Sequence, residues 1–286
     1  MPSPAEWAFP AIGTSWRVST VEPLSVLVRD AVAAEIETFD RAWSRFRPDS
    51  AVSRLAEQAG TATAPAAGLL REVYDEVDTA TGGAVNPLVG GSLTALGYDA
   101  EMSLRAGDPT PAPADWRGTF RAEGDTVTMT RPGLLDIGAC GKGLLVDRVS
   151  AVLTAHGVST HVVDASGDLI LRGTSERIAL EHPYDPTRAI GVVTVSEAAL
   201  CASATNRRAW GEGLHHVLDA RTGMPVRTVV ATWAVHPDAL HADALATALF
   251  FDGGPALAAR WGGDWVRMFT DGRAEYGPHT TFEVFT

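Results

Sequence analysis

The stretch His241-Ala242-Asp243-Ala244-Leu245-Ala246-Thr247-Ala248-Leu249-Phe250-Phe251 sets a carboxylate and a hydroxyl four residues apart in a segment that is otherwise almost wholly apolar. A helix apolar on nearly every face belongs in a protein interior. There an unpaired carboxylate is costly unless a cation or hydrogen-bond donors meet it. Residues i and i+4 share one helix face, so Asp243 and Thr247 can present two oxygens to one point. Such ligands suit a hard cation such as Mg2+. The same residues also fit a plainer account, in which Asp243 serves the helix N-terminus and Thr247 packs. Spacing alone leaves both open.

Working outward from this helix, Val229 to His236 reads as a strand before it, and short elements follow at Ala256 to Trp261, Trp265 to Phe269 and Phe282 to Phe285. Upstream, strands are expected at His161 to Ala165, Asp168 to Arg172, Gly191 to Val195 and His215 to Leu218, with a buried strand at Leu134 to Gly138. Gly143 to His156 is amphipathic and closed by Gly157. Nearer the start, a Pro- and Ser-rich loop precedes a strand at Thr14 to Thr20, and helices are expected from Ser25 to Trp43 and from Ala66 to Thr81, the latter stopped by Gly82-Gly83. Strands in runs with helices between the runs favour α+β over a regular alternating fold.

The chain has 286 residues, of which 45 % are hydrophobic, enough for a large core in one domain or two intimate ones. Its net charge of −12 disfavours non-specific binding to nucleic acid or to an anionic membrane surface. No apolar run is long enough to span a membrane, and the first residues do not open a signal peptide, so a cytoplasmic location is expected. Cys140 and Cys201 are too few for a disulfide framework or a thiolate zinc site. The region from about 97 to 131, rich in Pro, Gly and Asp, reads as a variable loop with strand alternation only at Thr126 to Thr130; about 1–10 reads as an N-terminal extension.

Among the loops, Leu135-Asp136-Ile137-Gly138-Ala139-Cys140-Gly141-Lys142-Gly143 has three glycines in six residues and a lysine at a helix entrance, which could receive a phosphate or simply make a tight turn. It is not a P-loop: Asp136 stands where the first glycine belongs, and Gly143 follows the lysine in place of Ser or Thr. His215 and His216 are neighbours on an expected strand, so they point to opposite faces and only one can enter a site. Ser166-Gly167 can be a plain hairpin turn, and Arg45, Phe46 and Arg47 either contact a charged planar ligand or form a solvated loop. No Gly-x-Ser-x-Gly, His-Glu-x-x-His or Cys-x-x-Cys motif is present.

Taken in order, Ile12 to Trp16, Ser44 to Ser50, Thr81 to Pro87, Leu135 to Gly143 with Val146-Asp147-Arg148, Ser166 to Asp168, His215 to Pro225 and Ala242 to Ala248 resemble the ApbE-type FAD:protein FMN transferases. The resemblance covers most of the chain as a single flavin-transferase domain. It implies an α+β fold of mixed or antiparallel sheets with packed helices, in two intimately associated lobes with the flavin site between them. It implies Mg2+-dependent transfer of FMN from FAD to a threonine or serine hydroxyl of an acceptor protein, with release of AMP. Carried over residue by residue, it makes Asp243, Thr247 and the Ala139 carbonyl the Mg2+ ligands. It places FAD against Ile12, Phe46, Ala84, Val85, Asn86, Asp136, Lys142 and Val217, and makes His216 the group that activates the acceptor hydroxyl. The chain departs from the family at Val85-Asn86, where Phe-Asp is usual, and at Ala202-Ser203-Ala204, where Thr-Ser-Gly is common. Alternatives on the same site are an FAD pyrophosphatase giving FMN and AMP, and an FAD-binding protein without catalysis.

Overall fold

Backbone pairing begins earlier than the Pro- and Ser-rich composition suggests. Strand β1 (Ala5–Ala11) pairs along its full length with β2 (Thr14–Thr20), and their two-residue turn holds Ile12 and Gly13 at φ of 43° and 74°. Residues 5–10 of the expected extension therefore belong to the edge strand of the main sheet. The computed structural model describes residues 4–285, and residues 1–3 of that extension lie outside it.

Helix α1 (Val26–Trp43) starts where Ser25 accepts the Val28 amide at 3.4 Å and ends at Ser44. The polar Ser44 to Ser50 loop then feeds a short helix that periodicity did not announce, α2 (Ala51–Glu57), capped by Ser50, and strand β3 (Gly60–Thr63). Helix α3 (Ala67–Thr81) stops at Gly82, whose φ of 61° closes the last turn without a Cβ penalty. Helix α4 (Gly90–Ala95) ends just before the expected variable region, which carries α5 (Trp116–Thr119), β4 (Phe120–Glu123) and β5 (Thr126–Met129), and β3, β5 and β4 form a small antiparallel sheet.

Leu134 to Gly138 is not a strand: it has no ladder partner and is held by Asp136 N–H donating to Pro87 O at 2.8 Å and by Tyr74 Oη donating to Asp136 O at 3.0 Å. Burial of Leu135 made it look like a core strand, but its apolar side chain packs without sheet pairing. Helix α6 (Gly141–Ala155) follows, then β6 (His161–Asp164), β7 (Asp168–Arg172), β8 (Ser175–His182), β9 (Asp185–Ser196) and β10 (Ala199–Ala204). Ser166 and Gly167, both at positive φ, make the β6–β7 hairpin turn.

The expected strand His215 to Leu218 is broken. The chain forms β11 (Ala209–Trp210), β12 (Leu214–His215), β13 (Leu218–Asp219) and β14 (Met224–Pro225) as two small hairpins, with His216 and Val217 at the break. Last come β15 (Val229–His236), α7 (Ala239–Ala248), α8 (Gly254–Trp261), β16 (Asp264–Phe269), β17 (Ala274–Tyr276) and β18 (Glu283–Val284).

The main sheet has eight antiparallel strands in the order β1-β2-β6-β7-β10-β15-β16-β17. Its strands alternate between two cores. Val18, Val163, Ile170, Cys201 and Ala234 face the helices α1, α3, α6 and α7, whereas Leu171, Leu200, Trp233 and Val266 face a three-stranded sheet of β18, β9 and β8. The fold is α+β, with α7 enclosed as its sequence demands: eight of its ten residues are buried.

Candidate functional site

Helix α7 is held from three sides. Both carboxylate oxygens of Asp147, on α6, accept the amides of Ala239 and Leu240 at 2.8 Å, satisfying donors that a helix N-terminus leaves free. Behind it, Thr232 of β15 donates to Ala246 O at 2.6 Å. The closest approach is at Gly143, where an added Cβ would lie 2.1 Å from Ala239 O and 2.7 Å from Asp243 Cβ. Only glycine lets α6 and α7 meet here. We expect Gly143→Ala to force the helices apart at a cost of about 1–3 kcal/mol, read as a lower urea midpoint with an unchanged m-value.

That packing fixes Asp243. Its side chain is buried, 3 % exposed, and its Oδ2 accepts the Gly143 amide at 2.9 Å. One turn on, Thr247 Oγ1 donates to the Ala139 carbonyl at 3.1 Å, so helix and loop present a carboxylate, a hydroxyl and a backbone carbonyl side by side. A set made only of oxygens fits a hard cation such as Mg2+. Burial first, then the Asp168 carboxylate, raises the Asp243 pKa well above its ordinary value, with Lys142 and the Gly143 amide opposing. A bound cation reverses that balance by stabilising the ionised form.

Lys142 stands between the two acids. Its Nζ lies 2.9 Å from Asp168 Oδ2; Asp168 is 1 % exposed, and neither of its oxygens has a hydrogen bond of good geometry. Burial alone would lower the lysine pKa, but Asp168 and Asp243 outweigh it and the net shift is upward.

Of these groups Lys142 and Asp243 line a cleft of about 1030 Å3, whereas Ala139, Thr247 and Asp168 lie behind its wall. The structure brings Ile12, Phe46, Asp136, Lys142, His216 and Asp243 to its wall. Ile12 gets there from a left-handed backbone conformation that a β-branched residue rarely adopts. Asp136 lines the cleft with both oxygens already engaged, Oδ1 by the Gly138 amide at 2.7 Å and Oδ2 by Arg45 Nε at 2.5 Å. It shapes the loop more directly than it can receive a ligand.

His216 sits at the break between β12 and β13, and its buried Nδ1 has no hydrogen-bond partner among the described residues. Desolvation, reinforced by the Arg208 and His215 charges, pushes its pKa down to about 3. It is a neutral imidazole at physiological pH.

The other four expected flavin contacts, Ala84, Val85, Asn86 and Val217, are buried outside the cleft lining. The reason is local: Asn86 spends its amide on Leu88 N–H at 2.8 Å and Pro113 O at 3.0 Å, Ala84 O accepts the Ala220 amide at 2.9 Å, and Val85 and Val217 join the main core. They stabilise the walls from behind.

Sequence reading missed an aromatic cluster. Tyr98 and Trp210 stack at 5.3 Å, Phe46 meets Tyr98 edge-on at 5.5 Å, and the Arg45 guanidinium lies 4.2 Å from the Phe46 ring centre. All four residues line the cleft beside Arg207, Arg208 and Ser203. Arg45 and Phe46 stood out as a possible ring contact, but Tyr98 lies in text that read as a variable loop, and Trp210 belongs to a strand of only two residues.

Comparison with known proteins matches this geometry to one family. The ApbE family model matches residues 12–263. A Rhodobacter capsulatus protein named FAD:protein FMN transferase is 29 % identical over 293 residues, covering 92 % of this chain and 55 % of that one. The chain thus spans about half the length of that relative. A Klebsiella pneumoniae protein of the same name is 25 % identical over 270 residues, covering 83 % of this chain and 75 % of its own. Among solved structures, the flavin transferase ApbE from Vibrio cholerae superposes with a TM-score of 0.79 at 21 % identity, covering 96 % of this chain and 97 % of its own. The ApbE protein of Thermotoga maritima does so with a TM-score of 0.81 at 21 % identity and the same coverage.

Proposed function

The chain belongs to the ApbE family, and from that premise we propose that it transfers FMN from FAD to a threonine or serine hydroxyl of an acceptor protein, with Mg2+ bound and AMP released. The observation that carries this reading is the pairing, in the wall of one cleft, of a buried carboxylate on the face it shares with Thr247 and a neutral histidine. Storage of a flavin calls for neither.

Asp243, Thr247 and the Ala139 carbonyl would hold the cation, which when bound supplies positive charge at the pyrophosphate that this acidic chain lacks. Phe46, Tyr98 and Trp210 would give a flat ring an aromatic wall, with Ile12 also lining the cleft. In the transfer, the acceptor hydroxyl oxygen forms a bond to the phosphorus of the FMN half. The bond from that phosphorus to the bridging oxygen breaks, and AMP leaves with the oxygen and its electron pair. The hydroxyl proton passes to His216, which is neutral in the free protein. Phosphoryl transfer depends mainly on such positioning and charge neutralisation.

His216→Ala is expected to lower kcat by about 10²–10⁴-fold, the usual worth of a positioned base, while FAD still binds. Because its pKa lies at about 3 in the free protein, kcat/KM should carry no histidine inflection near pH of about 6.5. A free-enzyme ionisation there that persists in His216→Ala would assign the base elsewhere. The decisive experiment incubates the protein with FAD, MgCl2 and candidate acceptor proteins from the same genome, following AMP and a covalent FMN mass increment. AMP without an adduct points to pyrophosphatase activity; bound FAD with neither product points to a binding protein.

A further inference from the structure

Where β15 passes into α7, three side chains converge that the flavin site does not use. His236 Nδ1 lies 3.0 Å from Asp238 Oδ2, His241 Nδ1 lies 2.7 Å from Asp238 Oδ1, and the two imidazole rings are 4.9 Å apart. One ligand atom from each falls within 4.8 Å of the other two. We propose that His236, Asp238 and His241 form a second cation site, one that takes a borderline divalent transition metal of the Zn2+ class and clamps the β15–α7 junction.

Helix capping does not require this arrangement. Asp238 already caps α7 by accepting the His241 amide on Oδ1 at 2.8 Å, which needs neither imidazole. His236 is in a more awkward position: its Nδ1 accepts the Asp238 amide at 3.3 Å while facing the Asp238 carboxylate. A lone pair and a carboxylate oxygen at that separation repel unless a proton or a cation lies between them. The two nitrogen-to-oxygen separations, 3.0 and 2.7 Å, are shorter than the roughly 3.3 Å edge of a tetrahedral site whose bonds are about 2.0–2.1 Å long, so a metal entering between these groups would widen both contacts by a few tenths of an ångström.

Two imidazoles and one carboxylate select Zn2+, Ni2+ or Cu2+ over Mg2+, which prefers oxygen alone. That separates this site from the oxygen set at Asp243 and Thr247. The surroundings also favour a cation. Asp147 lies against the same helix start, and Glu76 accepts from Trp261 Nε1 at 2.8 Å while the Trp261 ring packs edge-on against His241 at 4.7 Å. The nearby positive groups are partly engaged: Arg260 pairs with Glu76 at 3.1 Å, and Arg172 donates to Pro237 O at 3.0 Å. All three candidate ligands are half-buried, so a metal would keep an open coordination position for water. Since His241 lies two residues before Asp243 on α7, a metal here would pin the start of the helix that carries the oxygen donors.

The test uses the full chain without FAD, in excess MgCl2 so that hard-oxygen ligands are occupied. ZnCl2 is titrated by calorimetry, and CoCl2 by visible absorption. The expected result is one equivalent of Zn2+ that Mg2+ does not displace, with Co2+ giving the visible bands of a low-coordinate nitrogen-ligated ion. His236→Gln and His241→Gln should each weaken binding by more than about 10-fold, the loss seen even for outer partners of metal ligands, with circular dichroism showing that both remain folded. No Zn2+ binding and no Co2+ bands in the unaltered protein would overturn the site, whatever the variants do. So would binding of undiminished affinity in both glutamine variants. Neither outcome depends on flavin transfer.

Discussion

Asp243→Asn is expected to abolish Mg2+-dependent FMN transfer and, in chelator, to make the protein more stable. The loss follows from the donor set. An amide is a weak ligand for a hard cation, and forfeiting the several kcal/mol that a metal contributes to charge stabilisation corresponds to about 10³-fold or more in kcat. The gain follows from the burial of Asp243. Without a cation, Lys142 faces two buried carboxylates, Asp168 and Asp243, whose joint effect on it is visible in its raised pKa. Asparagine keeps the shape, can still accept the Gly143 amide, and leaves one cation opposite one anion. Removing the surplus buried charge should be worth roughly 1–2 kcal/mol, a rise of a few degrees in melting temperature with EDTA present. MgCl2 should then stabilise the unaltered protein and not the variant. A variant that transfers FMN at the normal rate in chelator would remove the metal from the reading altogether.

Lys142→Met is expected to be the most destabilising single change at the site. Methionine fills the space of the lysine stem but leaves Asp168 buried, with no charge partner and no well-formed hydrogen bond. Breaking a buried pair from one side costs about 3–5 kcal/mol, which for a chain of this size lowers the melting temperature by roughly 10 °C. Lys142→Met combined with Asp168→Asn should recover most of that loss, because the stranded charge is gone. Equal destabilisation in the single and double variants would mean that the cost is packing and not electrostatics. FAD affinity separates the second role of the lysine: if its ammonium also meets the phosphates, affinity falls in the single variant and stays low in the double.

The longer helices were legible in the sequence because their signals are local, whereas the short α2, α4 and α5 were not. Ser25 caps α1, Gly82 stops α3, Gly157 follows α6, and α7 is apolar almost all round. Strands with a clear inward face, such as β2, and the continuously apolar β15, buried on both faces, were legible for the same reason. The misreadings have physical causes. Leu134 to Gly138 has the burial of a core strand without a partner, because its hydrogen bonds go to a loop and to Tyr74. β8 is exposed over much of its length and so lacks the alternation that marks a half-buried strand. The hairpin β1 was masked by the prolines around it, although Pro10 is tolerated on an edge strand.

The sequence by itself picked out candidate residues and their order: the Asp243/Thr247 spacing, the glycine-rich turn with Lys142, and a histidine at 215–216. It also determined that α7 must lie inside. Only the tertiary structure decided who meets whom. Gly143 N–H reaches Asp243 across 100 residues of chain and Thr247 reaches Ala139 across 108, contacts that no local pattern encodes. It likewise withdrew Ala84, Val85, Asn86 and Val217 from the cleft wall and supplied Tyr98 and Trp210, since a side chain's access depends on which distant backbone and core atoms claim it first.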